Sequence, residues 1–404
     1  MIESIRNQYN AQFTTGRYQA FLAQIHAEYP GMLDFRVAET PVFVPKQLTD
    51  KMLTACDDIV RTITQPDFRA KTEAAIPAGQ YVPGEGTTSH TTFMAVDFAV
   101  CRNEDSGELE PQLIELQGFP SLYGFQPYVS DTFRAHYAIP DSVSHLFGVA
   151  TNDDYIAELR DLVVGDCNPE EVILLEIYPE KQKTRVDFAL TKHYIGIDAV
   201  CLTRIRKRGR ELYYEKDGRE IRIRRIYNRL IFDELEAMPD LKTEFTLTDD
   251  VDVQWVGHPN WFFRISKYTL PLIESAYVPK SFYLSDLTDV PGRGTDLENY
   301  VLKPLFSFAG SGVKINVTSA DIDAIPDSER GNYLLQRKVR YEPVITALDG
   351  HVKCEIRLLF IWPDGADKPK LITNLARLSR GEMIGVRFNK DFDWVGGTIA
   401  YFEQ

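Results

Sequence analysis

The residues with the clearest potential for chemistry lie in one late segment, YVLKPLFSFAGSGVKI, residues 300–315. Lys303 stands near the end of a predicted strand, and Gly310, Ser311 and Gly312 form a turn that leads back into a second strand-like run. Small residues allow backbone N–H groups to approach phosphate oxygens, and a neighbouring lysine supplies a point charge for them. GxxxxGK[ST] is absent, so this is not a Walker loop. The pattern suggests a hairpin that folds over a nucleotide, although the turn taken alone is more typical of a plain hairpin with an exposed lysine.

Two flanking segments carry further polar groups in apolar surroundings. Lys267 lies among aromatic and aliphatic residues in NWFFRISKYTLPLI, where an unpartnered charge costs free energy. A bound phosphate would be a suitable partner, and a lysine that reaches out to water is the alternative. Gln336 follows two leucines in the predicted strand NYLLQRKV, and an amide at that place can read the edge of an adenine ring. The alternative is that a lone glutamine after two leucines has no such role.

A second set of polar residues lies far earlier in the chain. Asp97 in MAVDFAV and Glu115 in QLIELQ are embedded in apolar strand-like runs, and Gln117 shares one strand face with Glu115. Two carboxylates about 4 Å apart repel by roughly 4 kcal/mol at an effective dielectric constant near 20, so such a site needs a cation. Oxygen ligands of this kind suit Mg²⁺, which also binds nucleotide phosphates. The alternative is that the two acids lie on different faces or pair with arginines.

The elements that must position these groups divide the chain into four sections. Residues 1–84 read as mainly helical, with apolar residues spaced by three and four over 18–29 and 48–63 and a cap at Thr49 or Asp50. Residues 85–165 contain the strands of the predicted metal ligands. Residues 166–258 alternate strand and helix, and residues 259–404 contain the predicted nucleotide-binding segments. The fold class is therefore predicted to be α/β with α+β elements.

Within the third section we predict a strand over 171–177, a helix over 183–194 and a strand over 199–205, an order that favours parallel pairing. A hairpin is predicted over 211–230, because Lys216-Asp217-Gly218 offers the positive φ that a tight turn needs. In the last section, SKYTLPLIESAY predicts a helix. CEIRLLFIW and KLITNLARLS predict two long strands.

Length and composition exclude several classes of protein. The 404 residues include 44% hydrophobic and 26% charged residues, which excludes a small disulfide-stapled scaffold and wholesale disorder. Five scattered cysteines without a CxxC pair indicate reduced thiols rather than a zinc site. The sequence contains neither an export signal pattern nor an apolar run of membrane-spanning length. We therefore expect a cytoplasmic protein that does not interact with membranes.

One basic segment departs from the acidic balance of the chain. The net charge is 45 − 59 = −14, whereas residues 204–229 contain eleven Lys or Arg and four Asp or Glu, a local excess of 11 − 4 = +7. Interleaved tyrosines would allow this segment to bind RNA or single-stranded DNA. Its alternation of charged and apolar residues is more typical of a solvated sheet face. We therefore do not expect this segment to bind nucleic acid, and a lining for an anionic substrate or a subunit contact is the preferred interpretation.

Taken in order, AVDFAV, LIELQGFPS, LKPLFSFAGSGV, LLQRKV and EIRLLFI resemble the circularly permuted ATP-grasp family, which includes the synthetase domain of glutathionylspermidine synthase. In that family the magnesium-binding acids precede the phosphate-binding lysine and glycine-rich loop, as they do here. The similarity covers roughly residues 85–404. It implies a permuted ATP-grasp fold with a pre-ATP-grasp α/β subdomain over 166–258.

The resemblance also implies roles for individual residues. The implied magnesium ligands are Asp97, Glu115 and Gln117. The implied phosphate contacts are Lys267 and Lys303. The implied loop over the triphosphate consists of Gly310, Ser311 and Gly312. The run from Gln336 through Lys338 to Val339 is implied to face the adenine ring.

Two residues depart from the family pattern. Gln117 stands where the family often has Asn, and Ala95 stands where glutathionylspermidine synthase has an arginine that steadies the transferred phosphoryl group. Another arginine must replace it, or catalysis is altered. Arg357, Arg377 and Arg387 are the candidates for stabilising transferred charge, because a guanidinium can bind phosphate or carboxylate in a bidentate manner.

A competing assignment places the metal ligands after the phosphate lysine, as in unpermuted ATP-grasp enzymes. Glu355 and Asn389 would then be ligands, although Arg387 occupies the position where that pattern requires an acid. On either assignment the resemblance implies an ATP- and Mg²⁺-dependent ligase that joins a small-molecule or peptide carboxylate to an amine. A catalytically silent ATP-binding protein of the same fold is one alternative, and a nucleic-acid-binding protein that uses residues 204–229 is another.

Overall fold

Short helices are distributed along the whole chain in the computed structural model, which describes residues 1–85, 90–287, 296–305, 312–381, 384, 389 and 391–404. The α-helices are α1 Glu3–Gln12, α2 Thr15–Glu28, α3 Lys46–Ile63, α4 Phe68–Lys71, α5 Phe125–His136, α6 Asn152–Val163, α7 Arg185–Ile195, α8 Phe232–Glu236, α9 Asn260–Arg264 and α10 Ser319–Asp323.

The strands gather into several separate sheets. They are β1 Val42–Val44, β2 Phe93–Arg102, β3 Leu109–Gln117, β4 Val143–Ser144, β5 Val172–Glu176, β6 Asp198–Cys201, β7 Arg206–Arg208, β8 Glu211–Lys216, β9 Arg219–Ile223, β10 Arg225–Asn228, β11 Gln254–Val256, β12 Ser281–Tyr283, β13 Tyr300–Pro304, β14 Tyr333–Arg337, β15 Ile345–Ala347, β16 Gly350–Ile361, β17 Lys370–Ser379, β18 Gly396–Thr398 and β19 Ala400–Glu403.

The largest sheet joins early and late parts of the chain. Its order is β18-β17-β16-β2-β3, with β15 paired to β16, so β2 lies between β3 and the late strand β16. Alternate residues of β2, namely Val96, Phe98 and Val100, pack in the same core as Leu48 and Met52 of α3. The opposite face of β2 therefore carries Asp97, and this polar residue is placed in the middle of the sheet.

A second sheet is parallel throughout and has the order β11-β10-β5-β6. The predicted strands and helix of this section are confirmed as β5, α7 and β6. The apolar residues of β5, including Val172 and Leu174, pack against Leu159 and Val163 of α6 and Phe188 of α7. Helices on a parallel sheet produce the α/β layer that the strand–helix alternation predicts.

Two small sheets complete the parts that matter for the site. An antiparallel sheet of order β12-β14-β13 carries Lys303 and Gln336, and Leu302 of β13 also forms an isolated antiparallel bridge with Lys314. A three-stranded sheet β1-β19-β4 brings the first strand beside the last one. Across the described ranges, no helix combines the length and the apolar character that a membrane span requires. All five cysteines are free thiols.

The structure differs from several predicted elements. The hairpin predicted over 211–230 consists of β8 and β9 with Asp217 and Gly218 at positive φ, but residues 225–228 leave it and join the parallel sheet as β10. The helix predicted over 266–277 is a short 3-10 turn at Lys267–Leu272 that contains Pro271, a residue that cannot donate a backbone hydrogen bond. Helix α3 begins directly after Pro45, before the cap predicted at Thr49 or Asp50.

Candidate functional site

A buried ionic network occupies the middle of the largest sheet. Asp97 on β2 lies in register with Glu115 on β3 and with Arg357 on β16. Nε and Nη2 of Arg357 donate to Oδ1 and Oδ2 of Asp97 over 2.5 and 2.6 Å. Arg377 on β17 donates from Nη2 to Oδ2 of Asp97 over 2.8 Å and also contacts Glu355. The Asp97 carboxylate, only 1% exposed, therefore binds two guanidinium groups.

The ends of this network are fixed by hydroxyl groups. Tyr341 donates to Oε2 of Glu355 over 2.7 Å, and Nη1 of Arg357 donates to the Ser121 hydroxyl over 3.0 Å. Burial raises the pKa of Glu355 above its usual value, although Arg377 opposes this shift. The network holds both arginines in defined positions, and a fixed guanidinium is suited to contact an anion.

The predicted metal ligands lie together on two adjacent strands. Glu115 and Gln117 are half-buried on β3 and line one narrow cleft that also contains Lys267. Both oxygens of Asp97 accept hydrogen bonds from arginine, which is the alternative that the sequence left open. A metal ion bound to Asp97 would have to replace at least one of these donors. Among the described residues, no group of three or more His, Cys, Asp or Glu side chains is arranged to hold a metal ion.

Two lysines from distant segments approach the same acid. Nζ of Lys303 donates to the backbone oxygen of Ile114 over 3.2 Å, directly before Glu115. Burial lowers the pKa of Lys303 to about 8, while Glu115 opposes the shift and Lys267 adds to it. Burial also lowers the pKa of Lys267, again opposed by Glu115, and its Nζ donates to the Pro304 oxygen over 3.3 Å. Asp233 also opposes the shift of the Lys267 pKa and lines the same cleft. Two ammonium groups thus lie close enough to influence each other, with Glu115 near both of them and Asp233 near Lys267.

The predicted adenine contacts lie on and after strand β14. Gln336 is 2% exposed, and its Nε2 has no hydrogen-bond acceptor in the described part of the chain. Lys338 and Val339 follow the strand end, and Nζ of Lys338 donates to Asn316 over 3.0 Å. A buried amide donor without an acceptor costs about 1–3 kcal/mol, so the Gln336 site is suited to a ligand that accepts a hydrogen bond.

Part of the predicted site falls on residues that the structure does not describe. Gly310, Ser311 and Arg387 lie outside the described ranges. Gly312 has a φ of 69°, and a Cβ there would approach Pro304 to 2.9 Å, so this position requires glycine. The return of the chain after the loop is visible as the Leu302–Lys314 bridge.

The two residues of the competing ligand assignment are bound within the fold. Oδ1 of Asn389 accepts hydrogen bonds from the Ser379 hydroxyl and from the backbone N–H groups of Arg380 and Gly381, at 2.9 to 3.1 Å. Glu355 is bound by Tyr341 and Arg377. Both groups therefore already have partners within the fold, as Asp97 also has. The assignment to Asp97, Glu115 and Gln117 stays the preferred prediction.

A polar cluster that the sequence interpretation missed lies at the carboxyl ends of the parallel strands. Glu176 ends β5, Arg229 follows β10, and Asp187 lies on α7 nearby, all of them buried. The Tyr227 hydroxyl interacts with the Arg229 side chain, whereas Nε of Arg229 and Oδ2 of Asp187 lack hydrogen-bond partners among the described residues. Ligands of open α/β sheets bind at this edge, so the polar residues after each predicted strand were the available signal.

The loop between β3 and α5 connects this cluster to the ionic network. The Pro120 oxygen accepts a hydrogen bond from Nη1 of Arg229 over 2.5 Å, and the next residue, Ser121, accepts one from Arg357 over 3.0 Å. Further along, the backbone N–H of Phe125 donates to Asp187 over 2.9 Å. One short segment therefore contacts both groups of buried charges.

Replacing Glu176 with glutamine is expected to change how stability depends on pH. Burial raises the pKa of Glu176 from 4.5 to about 8. Between these values the folded protein keeps a proton that the unfolded chain releases, so stability falls as pH rises through this window. We expect Glu176→Gln to flatten that fall, and to be more stable than the wild type by on the order of 2 kcal/mol at a pH of about 9.

Urea unfolding at several pH values between about 5 and 9 measures this effect. The exposed Glu180, which follows the same strand, provides a matched control. Glu180→Gln should leave the profile unchanged. An unchanged profile in Glu176→Gln would show that Glu176 is ionised in the folded protein.

The basic segment 204–229 is largely neutralised by neighbouring acids. Its arginines and lysines pair with acids inside the segment and, more often, outside it; the outside partners are Glu170, Glu171, Asp198, Asp249, Asp250 and Asp252. The three-stranded sheet β7-β8-β9 carries most of these pairs. This arrangement supports the interpretation of a solvated sheet face.

The fold of the whole chain is similar to that of a solved structure. It is similar to a glutathione synthetase-like effector from Globodera pallida in its apo form, with a TM-score of 0.59 and 12% identity over 96% of each chain. No family model matches the chain, and no curated protein matches it. At this level of identity the similarity concerns the fold alone. The protein has a mixed α/β fold that resembles that of glutathione synthetase-like proteins.

Proposed function

We propose that this protein is an ATP- and Mg²⁺-dependent ligase that joins a carboxylate to an amine through an acylphosphate. The observation that carries the proposal is that Lys267 and Lys303 both lie close enough to Glu115 to interact with it, and that Glu115 and Lys267 line one cleft, although Glu115 lies far from both lysines in the sequence. Two partly desolvated ammonium groups that lie near each other attract an anion. A nucleotide triphosphate is an anion of the required charge.

The nucleotide is held by groups on the sheet β12-β14-β13 and the segment before it. Lys303 and Lys267 bind phosphate oxygens as point charges. The Gln336 amide and the backbone at Lys338 and Val339 face the adenine ring. The unpartnered amide of Gln336 supports this placement, because an adenine nitrogen would supply the missing acceptor.

The residues of the cleft fit a magnesium ion that is bound mainly through phosphate. Mg²⁺ in such sites takes only one or two carboxylates from the protein. Glu115 and Gln117 would hold it, with Asp97 as a further ligand once an arginine partner has turned away. The bound ion would neutralise charge on the phosphates.

The arginines of the ionic network suit the charge that moves during the reaction. A substrate carboxylate oxygen attacks the γ-phosphorus and ADP leaves; the amine nitrogen then attacks the acyl carbon and phosphate leaves. Arg357 and Arg377 are held beside Asp97 by their hydrogen bonds to its carboxylate and would stabilise the phosphoryl oxygens. Arg357 reaches this place from the neighbouring strand, and therefore offers a replacement for the arginine that is missing at Ala95.

The polar cluster of Glu176, Asp187 and Arg229 is proposed to bind the acid or amine substrate. The unpartnered Nε of Arg229 would donate to a carboxylate, and the unpartnered Oδ2 of Asp187 would accept from an amine. The loop at Pro120 and Ser121 contacts both this cluster and Arg357, which supports a single site that spans the two sheets.

Titration with ATP in the presence and absence of Mg²⁺ tests the proposal. We expect saturable binding that requires Mg²⁺ and raises the melting temperature, because a ligand that binds only the folded state stabilises it. ADP and phosphate should then appear when the correct acid and amine are supplied together. Absence of any Mg²⁺-dependent effect of ATP would contradict the proposal.

A catalytically silent ATP-binding protein is the second candidate, and one observation favours it. Both Asp97 oxygens are occupied by arginines, and Ala95 replaces the arginine of the related synthetases. Such a protein would bind ATP with micromolar affinity and release no phosphate. Binding in the same titration without ADP formation, across a panel of amino acids, peptides and amines, would support this second function.

A further inference from the structure

Two adjoining cavities lie beside the parallel sheet, and the residues of the nucleotide cleft do not line them. Their volumes are about 620 and 430 Å³, and they share Arg225, Gln254, Trp255 and Asp364, which form the boundary between them. Together they form one continuous groove. Binding sites for ligands are usually concave and of this size.

The groove follows the edge strand of the sheet. β11 pairs only with β10 in the described sheet, and consecutive residues from 252 to 256 line the groove. Side chains alternate between the two faces of a strand, so a cavity that is lined by consecutive residues must run along the strand edge. The backbone N–H of Gln254 donates to the backbone oxygen of Arg224 in the sheet. The backbone groups of successive residues point to opposite edges of a strand, so the N–H and C=O groups of Trp255 point away from β10 and towards the groove.

The second cavity has an apolar floor and an acidic rim. Its floor includes Leu162, Trp255 and Val256, and its rim carries Asp161 and Asp364. Arg225 also reaches this cavity, but its guanidinium donates to the oxygens of residues 162 and 163 and to Gln254. The cavity therefore suits a side chain with an aliphatic stem and a positive end, which is the chemistry of lysine or arginine.

The first cavity is polar and carries both signs of charge. Arg222 and Arg224 line it with about half of each side chain exposed, and Asp252 pairs with Arg222. The walls of the groove are also preformed. Arg225 is packed against Gly165, where a Cβ would approach its guanidinium to 2.8 Å, so the residues that bound the groove are fixed without a ligand.

We propose that this groove binds an extended peptide segment of another protein. The peptide lies beside β11, exchanges main-chain hydrogen bonds with Trp255, and places a lysine or arginine side chain in the second cavity. Addition of a strand to an exposed sheet edge is a common mode of peptide recognition, in which main-chain bonds give affinity and side-chain pockets give specificity. The opposite charges of the rim and of the basic side chain complete the match.

Two pools of fluorescein-labelled heptapeptides test this proposal by fluorescence anisotropy. Both pools contain random Val, Thr, Ser and Ile, with lysine at the centre in one pool and norleucine in the other. We expect the lysine pool to bind at least about tenfold more tightly. Asp161→Asn combined with Asp364→Asn should abolish this difference. Glu104→Gln combined with Asp141→Asn, two exposed acids elsewhere, should preserve it.

Hydrogen exchange at the Trp255 amide tests the strand pairing directly, and it should slow when the lysine pool binds. Equal affinity of the two pools, or no saturable binding up to about 1 mM, would contradict the proposal. Unchanged exchange at Trp255 would also contradict it. Tight binding of a labelled oligonucleotide that is lost in Arg222→Gln with Arg224→Gln would overturn it in favour of a nucleic-acid surface.

Discussion

Lys303→Met is expected to reduce the affinity for MgATP by about ten- to a hundredfold, because one charged donor to phosphate contributes roughly 1.5–3 kcal/mol and its loss leaves phosphate charge uncompensated. Methionine preserves the length and the apolar stem of the side chain. Burial already lowers the pKa of Lys303 to about 8, so the ammonium is costly to the free protein. The variant should therefore be at least as stable as the wild type while it loses the nucleotide.

Isothermal titration with MgATP and thermal unfolding without it separate these two effects. Lys280, which is exposed and directly precedes the same small sheet, provides the control. Lys280→Met should change neither affinity nor stability. Normal affinity in Lys303→Met would remove Lys303 from the nucleotide site. A loss of stability would mean that the hydrogen bond to Ile114 and the attraction of Glu115 outweigh the cost of burying the ammonium.

Asp97→Asn is expected to lower the free energy of unfolding by about 3–5 kcal/mol in the absence of any ligand. The substitution removes the carboxylate charge that compensates the buried Arg357, whereas Arg377 is partly exposed and keeps Glu355 as a partner. Breaking the buried pair of Asp97 and Arg357 leaves uncompensated charge. Asparagine has nearly the same shape, so the effect would come from charge rather than from a cavity. Urea unfolding without nucleotide and metal measures it.

Glu104→Gln is the control for this prediction, because the Glu104–Arg340 pair is exposed on both sides. Exposed pairs contribute roughly 0–1 kcal/mol, so this variant should be close to the wild type. An Asp97→Asn variant of normal stability that has lost Mg²⁺-dependent ATP binding would show that Asp97 acts as a metal ligand rather than as an anchor for arginines. A large loss of stability with normal nucleotide binding would leave Glu115 and Gln117 as the protein ligands.

Local patterns predicted much of the fold. The strand KLITNLARLS is confirmed as β17, and the turn at Asp217-Gly218 has the positive φ values that its residue types favour. The pairing of strands that are distant in the sequence could not be predicted from local patterns. Residues 225–228 look like the end of a hairpin by composition, yet their parallel partner β5 begins more than fifty residues earlier. Propensity identifies a strand but not its neighbours.

The candidate site was predicted in part for the same reason. Asp97, Glu115 and Gln117 were recognisable as acids and amides in apolar strands, and the structure brings them together. The arginine partners of Asp97 could not be recognised from the sequence. Arg357 is 260 residues away and reaches Asp97 only because β16 pairs with β2 in this register. The cluster of Glu176, Asp187 and Arg229 was missed because each residue looks ordinary until the parallel sheet aligns the strand ends.

A crystal structure with a non-hydrolysable ATP analogue and Mg²⁺ tests the central claim most directly. The account predicts that Nζ of Lys267 and of Lys303 lie within about 3 Å of phosphate oxygens. It also predicts a magnesium ion at about 2.1 Å from a Glu115 oxygen. A nucleotide bound elsewhere on the protein, or a cleft that stays empty at saturating analogue, would contradict it.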